Sequence, residues 1–179
     1  MKTIKINMLF LLMGLSCITA QTKGTSQVSV GCGYASYDAN VQSFDFDNND
    51  DDDENNAGAI NVGYKYAVSD RWMLGGIIVY EKITNDINLQ GETVRGTATV
   101  TTVGAEFDYR YISTQYFQMY SGFGVGYTFG NEKPTEDNIN HFNCQLTGAG
   151  IRVGSTLAGF AELGFGYKGV INFGISLRF

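Results

Sequence analysis

The last nine residues, Ile171-Asn172-Phe173-Gly174-Ile175-Ser176-Leu177-Arg178-Phe179, alternate without a break. Successive side chains of an extended chain point to opposite sides. Ile171, Phe173, Ile175, Leu177 and Phe179 therefore share one face, and Asn172, Gly174, Ser176 and Arg178 share the other. The first face is bulky and apolar; the second is small or polar. The same division recurs upstream. Phe117, Met119, Phe123, Val125, Tyr127 and Phe129 oppose Gln118, Tyr120, Gly122, Gly124, Gly126 and Thr128. Val103, Ala105, Phe107 and Tyr109 oppose Gly104, Glu106, Asp108 and Arg110. Ile60, Val62, Tyr64 and Tyr66 oppose Asn61, Gly63 and Lys65, while Ala161, Leu163, Phe165 and Tyr167 oppose Glu162, Gly164 and Gly166.

Carried along the chain, this period places strands near 26–37, 58–67, 72–83, 96–110, 116–130, 142–153, 159–167 and 170–179. Segments of about ten residues are what a tilted strand needs to cross a bilayer. In a soluble sandwich or barrel the bulky face would fill the interior and leave a glycine-rich face outside to cover it. The reverse arrangement suits both faces. Large side chains meet lipid, and glycine with polar groups fits the narrow interior of an eight-stranded barrel. The opposite register would put Arg110 in hydrocarbon, at roughly 2–4 kcal/mol near the midplane. The fold class expected is thus all-β, an eight-stranded antiparallel up-and-down transmembrane β-barrel.

Two segments are less regular. In the third, Gly75-Gly76 blurs the faces, and Ile77 and Val79 compete with Ile78 and Tyr80 for lipid. In the sixth, Phe142, Cys144 and Leu146 imply one parity, and Ala149, Ile151 and Val153 the other. Either a bulge near Thr147-Gly148 or an upper half standing beyond the membrane reconciles them.

Composition agrees with a membrane barrel. Only 17% of residues are charged, against 44% hydrophobic and 23 glycines, an unusual balance for a water-soluble domain. No apolar run reaches 18 residues, which excludes a transmembrane helix. The formal charge of −6 argues against a nucleic-acid partner. Three cysteines do not make a disulfide scaffold, and Cys32 and Cys144 fall on strands that are not neighbours. Residues 1–20 read as a cleaved secretory leader: Lys2 and Lys5 are its positive region, Met8–Leu15 its apolar core, Ala20 the small residue at the cut. The barrel domain is then 21–179.

The connections alternate. Those at 68–71, 112–114 and 155–157 are short; those near 38–57, 84–95 and 131–141 are long and polar, with Lys168-Gly169 a tight exception on the same side. Long loops face outward from the cell in such barrels. Trp72, Tyr66, Tyr111, Tyr116, Phe160 and Phe179 gather at the short-turn side as an expected aromatic girdle.

The whole chain after the leader resembles the small eight-stranded outer-membrane barrels, the OmpA transmembrane-domain and OmpX-like group. The sharpest motif is the C-terminal Asn172, Gly174, Leu177 and Phe179, which is similar to that family's membrane-insertion signal. The stretch from Tyr64-Lys65-Tyr66 to Ser69-Asp70-Arg71-Trp72 is similar to its periplasmic strand–turn–strand step. The resemblance implies residence in the outer membrane of a Gram-negative bacterium and the outer-membrane assembly machinery as a partner, beside the lipid itself. It also implies adhesion or binding of a host or surface ligand through the loops. The peptidoglycan-binding half of larger OmpA proteins is not expected here.

The interior charges are Lys65, Arg110, Arg152 and Arg178 against Glu106, Asp108 and Glu162. They nearly cancel, which suits a network that plugs the lumen, because an unpaired buried charge is costly. An ion-conducting or gated channel is the alternative. The acidic stretch Asp45, Asp47, Asp50, Asp51, Asp52, Asp53 and Glu54 is rich in hard oxygen ligands suited to calcium, but it lacks the spacing of an EF-hand. A solvated outer loop is the plainer reading. His141 is the single histidine, with no nucleophile placed beside it. The expectation is a monomeric, non-enzymatic, cofactor-free barrel with a structural or surface-interaction role. A narrow porin-like channel is the first alternative, and a lipid A-modifying enzyme the second.

Overall fold

The computed structural model describes residues 23–34, 58–89, 92–133 and 138–179. Eight strands follow in order: β1 (Ser26–Tyr34), β2 (Ala59–Ala67), β3 (Trp72–Leu89), β4 (Glu92–Ser113), β5 (Phe117–Lys133), β6 (Asn138–Gly154), β7 (Leu157–Gly166) and β8 (Ile171–Arg178). Each pairs antiparallel with its neighbours in sequence, and β1 pairs with β8 to close the barrel. Closure removes both sheet edges, so the backbone groups within the wall are paired.

The wall faces are inverted relative to a soluble protein. Ile60, Val103, Phe123, Leu163, Phe173 and Ile175 are exposed on the outside, while Asn61, Lys65, Glu106, Asp108, Gln118 and Glu162 are buried inside. A belt of bare aromatic and branched side chains is stable only against an apolar solvent. Trp72, Tyr66, Tyr111, Tyr116 and Phe179 are exposed at the short-turn end, where their amphipathic rings fit a membrane interface.

Glycine makes room for the interior groups by position. Lys65 pairs with Gly75, and Gly75 with Glu106. Across the next strand Glu106 pairs with Gly124 and Asp108 with Gly122. Gly150 lies between Tyr120 and Glu162, and Phe160 pairs with Gly174. Each of these large interior side chains thus has a neighbour without a Cβ, which a narrow barrel favours.

The ambiguous third segment resolves cleanly. Ile77 and Val79 are buried in the lumen, where they form an apolar cluster with Ala59 and Tyr167, and Ile78 and Tyr80 face out. The sixth contains a bulge. Tyr120 pairs with Gly150 but Gly122 pairs with Thr147, and the β6–β7 register shifts between Thr147 and Ala149. The extra residue switches parity, so Phe142 and Leu146 before it and Ile151 and Val153 after it all face outward. The Ser121 hydroxyl donates to the Gly148 carbonyl at 2.7 Å, occupying an acceptor that the bulge removes from the ladder.

Three expectations are corrected. The segments 84–95 and 131–141 are not long loops: β3 and β4 stay paired out to Leu89 and Glu92, and β5 and β6 to Asn131 and Asn138. Beyond the bilayer both sides of a hairpin meet water, so a paired strand there carries polar residues and reads as a loop. The 18 residues of β3 reach about 60 Å along the strand and about 45 Å along the axis at the usual tilt, against an apolar band about 25 Å tall. Phe160 does not join the aromatic girdle. It shares the parity of Glu162, and its ring lies over Gly31 and Gly174 inside the barrel. Tyr167 faces inward as well, because β7 ends at Gly166, whose φ of 133° turns the chain over the lumen.

Candidate functional site

The lumen holds two layers of charge. The upper one is built from β2, β4, β7 and the β7–β8 turn. Lys65 Nζ lies 2.8 Å from Glu106 Oε2 and 2.7 Å from Asp108 Oδ2. Lys168 Nζ lies 2.9 Å from Glu106 Oε1 and 2.8 Å from Glu162 Oε2. Glu106 is thus clamped between two ammonium groups, and the chain Asp108–Lys65–Glu106–Lys168–Glu162 crosses the bore. Neutral donors complete the carboxylates. The Tyr167 hydroxyl donates to Glu106 Oε1 at 3.2 Å, and the Tyr120 hydroxyl to Glu162 Oε1 at 2.9 Å. Asn172 Nδ2 donates to Glu162 Oε2 at 2.9 Å, and Asn172 Oδ1 accepts from Asn61 Nδ2 at 2.8 Å. Every member of this cluster is buried. Charge burial of this kind holds only when both the Coulomb partners and the spare lone pairs are supplied. The void left between Ser29, Asn61, Lys65, Glu106, Phe160 and Glu162 is about 10 Å³, room for one water.

The lower layer lies toward the short turns and contains the arginines. Arg152 donates from Nε to Ser176 Oγ at 2.8 Å and from Nη2 to the carbonyls of Ser155 and Thr156 at 2.9 and 3.2 Å, so it ties β6 to β8 and closes the β6–β7 turn. Arg110 Nη2 donates to Gln27 Oε1 at 2.9 Å. Arg110 Nη1 and Arg178 Nη2 both donate to the same atom, Gln118 Oε1.

The expected single network of Lys65, Glu106, Asp108, Arg110, Arg152, Glu162 and Arg178 is therefore corrected. Lys65, Glu106, Asp108 and Glu162 meet around a lysine that the strand pattern did not supply. Among the described residues, Arg110, Arg152 and Arg178 bond to amides, hydroxyls and carbonyls instead of carboxylates. Lys168 lies in a turn, where the strand pattern assigns no face, and Tyr167, expected on the outer face, follows the last residue of β7. The signal was Gly166-Tyr167-Lys168-Gly169, a lysine and an aromatic between two glycines that both take positive φ.

Of the residues expected to form an insertion signal, Asn172 points into the upper layer, Gly174 sits against Phe160, and Leu177 and Phe179 are exposed outside. Cys32 and Cys144 are free thiols on the outer face. His141 pairs with Thr128 in the β5–β6 ladder. No group of three or more metal-ligating side chains occurs among the described residues. The acidic stretch from Asp45 to Glu54 and the leader lie outside the described residues.

An inverted eight-stranded barrel with ion pairs across its bore is matched by one family model, the outer membrane protein beta-barrel domain, over residues 8–178. The chain belongs to that family. It is an outer-membrane β-barrel of the small OmpA-like type. Among solved structures it is similar to Ail, the attachment invasion locus protein of Yersinia pestis, in complex with the heparin analogue sucrose octasulfate. That pair shares 14% identity at a TM-score of 0.52, covering 88% of this chain and 100% of that one. A second Ail structure matches at 16% identity and a TM-score of 0.47, with the same coverage. The N-terminal β-barrel domain of Pseudomonas aeruginosa OprF matches at 14% identity and a TM-score of 0.50, covering 89% of this chain and 100% of that one. Among curated proteins, none matches the chain. At these identities the Ail complex and the OprF domain share the fold of this barrel and show nothing further.

Proposed function

We propose that this outer-membrane barrel is a closed, non-enzymatic scaffold whose work is done at the cell surface, by the hairpins β3–β4 and β5–β6 and the segment between β1 and β2. The observation that carries this reading is the ion-pair chain from Asp108 to Glu162 across the bore. A conducting pore needs a continuous water path, and five buried charged side chains paired across the bore speak against one. Leader cleavage after Ala20, insertion through Asn172, Gly174, Leu177 and Phe179, and a monomeric barrel belong to the same reading.

The charge of the outer segments points to the class of partner. Eight acidic residues and no basic one lie between Asp38 and Glu54, in the connection that leaves β1 and returns to β2 on the long-hairpin side. Such a surface attracts cations and repels polyanions. Ail was solved with a heparin analogue; here the sign of the charge favours a cationic partner, or divalent cations bridging to anionic glycolipid.

Planar-bilayer recording of the refolded chain tests the closed lumen. The expected result is an electrically silent membrane at protein levels where an open porin gives steps. A reproducible stepwise current would establish the channel instead. For the surface role, cells displaying the barrel should retain polylysine and not heparin, and removal of 45–54 should abolish the difference.

A further inference from the structure

The lower layer is unbalanced. Arg110, Arg152 and Arg178 converge at the short-turn mouth, and each of the last two feels the repulsion of its neighbours. Arg152 is satisfied by Ser176 and the turn carbonyls. Arg110 and Arg178 are not. Both donate to one neutral acceptor, Gln118 Oε1; Arg110 has Gln27 Oε1 and the face of the Tyr120 ring besides, but the Nε of each arginine is buried without a hydrogen-bond partner. Gln118 is held in that orientation by its own amide, which donates to Ser113 Oγ at 3.1 Å. The nearest carboxylate along β4, Asp108, has both oxygens on Lys65. Two guanidiniums facing one amide oxygen, each with a spare buried N–H, is an arrangement that is costly without an anion.

We propose that this layer binds a small oxyanion of the phosphate class, entering from the periplasmic mouth. The Gln118 carbonyl keeps its place between the two guanidiniums, and the spare Nε–H groups of Arg110 and Arg178 supply donors for two ligand oxygens. A tetrahedral oxyanion presents oxygens in several directions at once, and the guanidinium fork matches it with paired donors. Arg110 is buried and fixed by Gln27 and Gln118. Arg178 is half-buried next to the chain end and forms the accessible wall. Two sources carry this chemistry at that side of the membrane: free phosphate in the periplasm, and the phosphodiester headgroup of an inner-leaflet lipid.

The test uses the refolded chain in dodecyl maltoside, free of phosphate, titrated with sodium phosphate against sodium chloride at equal ionic strength. Calorimetry and the thermal midpoint are read together. Saturable heat and a rise in midpoint with phosphate alone are expected. Arg178→Gln should weaken binding about tenfold, a loss of about 1.4 kcal/mol. Arg71→Gln, in the exposed β2–β3 turn, should bind as the wild type does. A phosphatidylglycerol arm separates the sources: competition with phosphate assigns the site to a lipid headgroup, and binding unaffected by the lipid assigns it to the free anion. Equal responses to phosphate and chloride overturn the proposal, as does unchanged binding by Arg178→Gln. Should the arginine variants fail to refold, the phosphate–chloride comparison on the wild type decides alone.

Discussion

Lys168 Nζ lies 2.8 Å from Glu162 Oε2, so a residue of the β7–β8 turn reaches back down into the lumen to a carboxylate six positions earlier on β7. Its second contact, to Glu106 at 2.9 Å, ties that turn to β4 on the far side of the barrel. The turn sits low because of this. Val170 N donates to the Tyr34 carbonyl at 2.9 Å, which fastens it to β1 as well. A short connection among long hairpins thereby becomes the lid of the ion-pair chain.

Removing Lys168 should be the most damaging single change in the lumen. Lys168→Met leaves Glu162 without an ion-pair contact and Glu106 with Lys65 alone, and breaking a buried pair from one side costs about 3–5 kcal/mol. Denaturant unfolding in detergent micelles should show a correspondingly lower midpoint. Adding Glu162→Gln should recover part of the loss, because the remaining amide keeps its bond from Tyr120 without an uncompensated charge. An unchanged midpoint for Lys168→Met would contradict the clamp.

Gly124 is the second sensitive point. A Cβ there would overlap the Tyr167 hydroxyl that donates to Glu106. Gly124→Val should destabilise by about 1–3 kcal/mol, the usual cost of overpacking. Combining it with Tyr167→Phe should cost less than the two changes summed, since the phenol oxygen is what the methyl groups meet. Additive losses in a double-mutant cycle would place Tyr167 elsewhere.

The β6 bulge predicts the effect of shortening the chain. Deleting Gly148 removes the extra residue and leaves an unbroken two-residue period through β6, in which Phe142, Cys144 and Leu146 share one face with Ile151 and Val153. The variant should therefore keep the band shift that a folded barrel gives on an unboiled gel. Loss of the folded band would mean that the parity switch lies somewhere else.

Much of this was readable from the alternation alone. Strands β2, β4, β5 and β8 show their faces directly, because one side must dissolve in hydrocarbon and the other must fit a narrow bore. Pattern reading failed where one of those two constraints lapses. Beyond the bilayer a paired strand can meet water on both sides, so in 84–95 and 131–141 polarity no longer separates strand from loop. Phe160 was read as an interfacial aromatic from its place near a turn. Its parity with Glu162 was the better guide, since Gly31 and Gly174 leave space for the ring inside. Tyr167 kept the outward parity only on paper, because Gly166 ends the strand one residue earlier. The division between carboxylate–lysine and arginine layers depends on which side chains reach across the bore, and a count of balanced charges does not contain that information.

The central claim is that the apolar face of the wall lies in hydrocarbon and the polar face encloses the lumen. Tryptophan quenching by lipids brominated on their acyl chains tests it most directly. In a Trp72→Phe background, Phe173→Trp places the one indole on the outer wall, and Tyr120→Trp places it inside. The barrel described here predicts strong quenching of the first and weak quenching of the second in the same vesicles. An indole at 173 that brominated chains leave bright, with the one at 120 quenched as much or more, would contradict it.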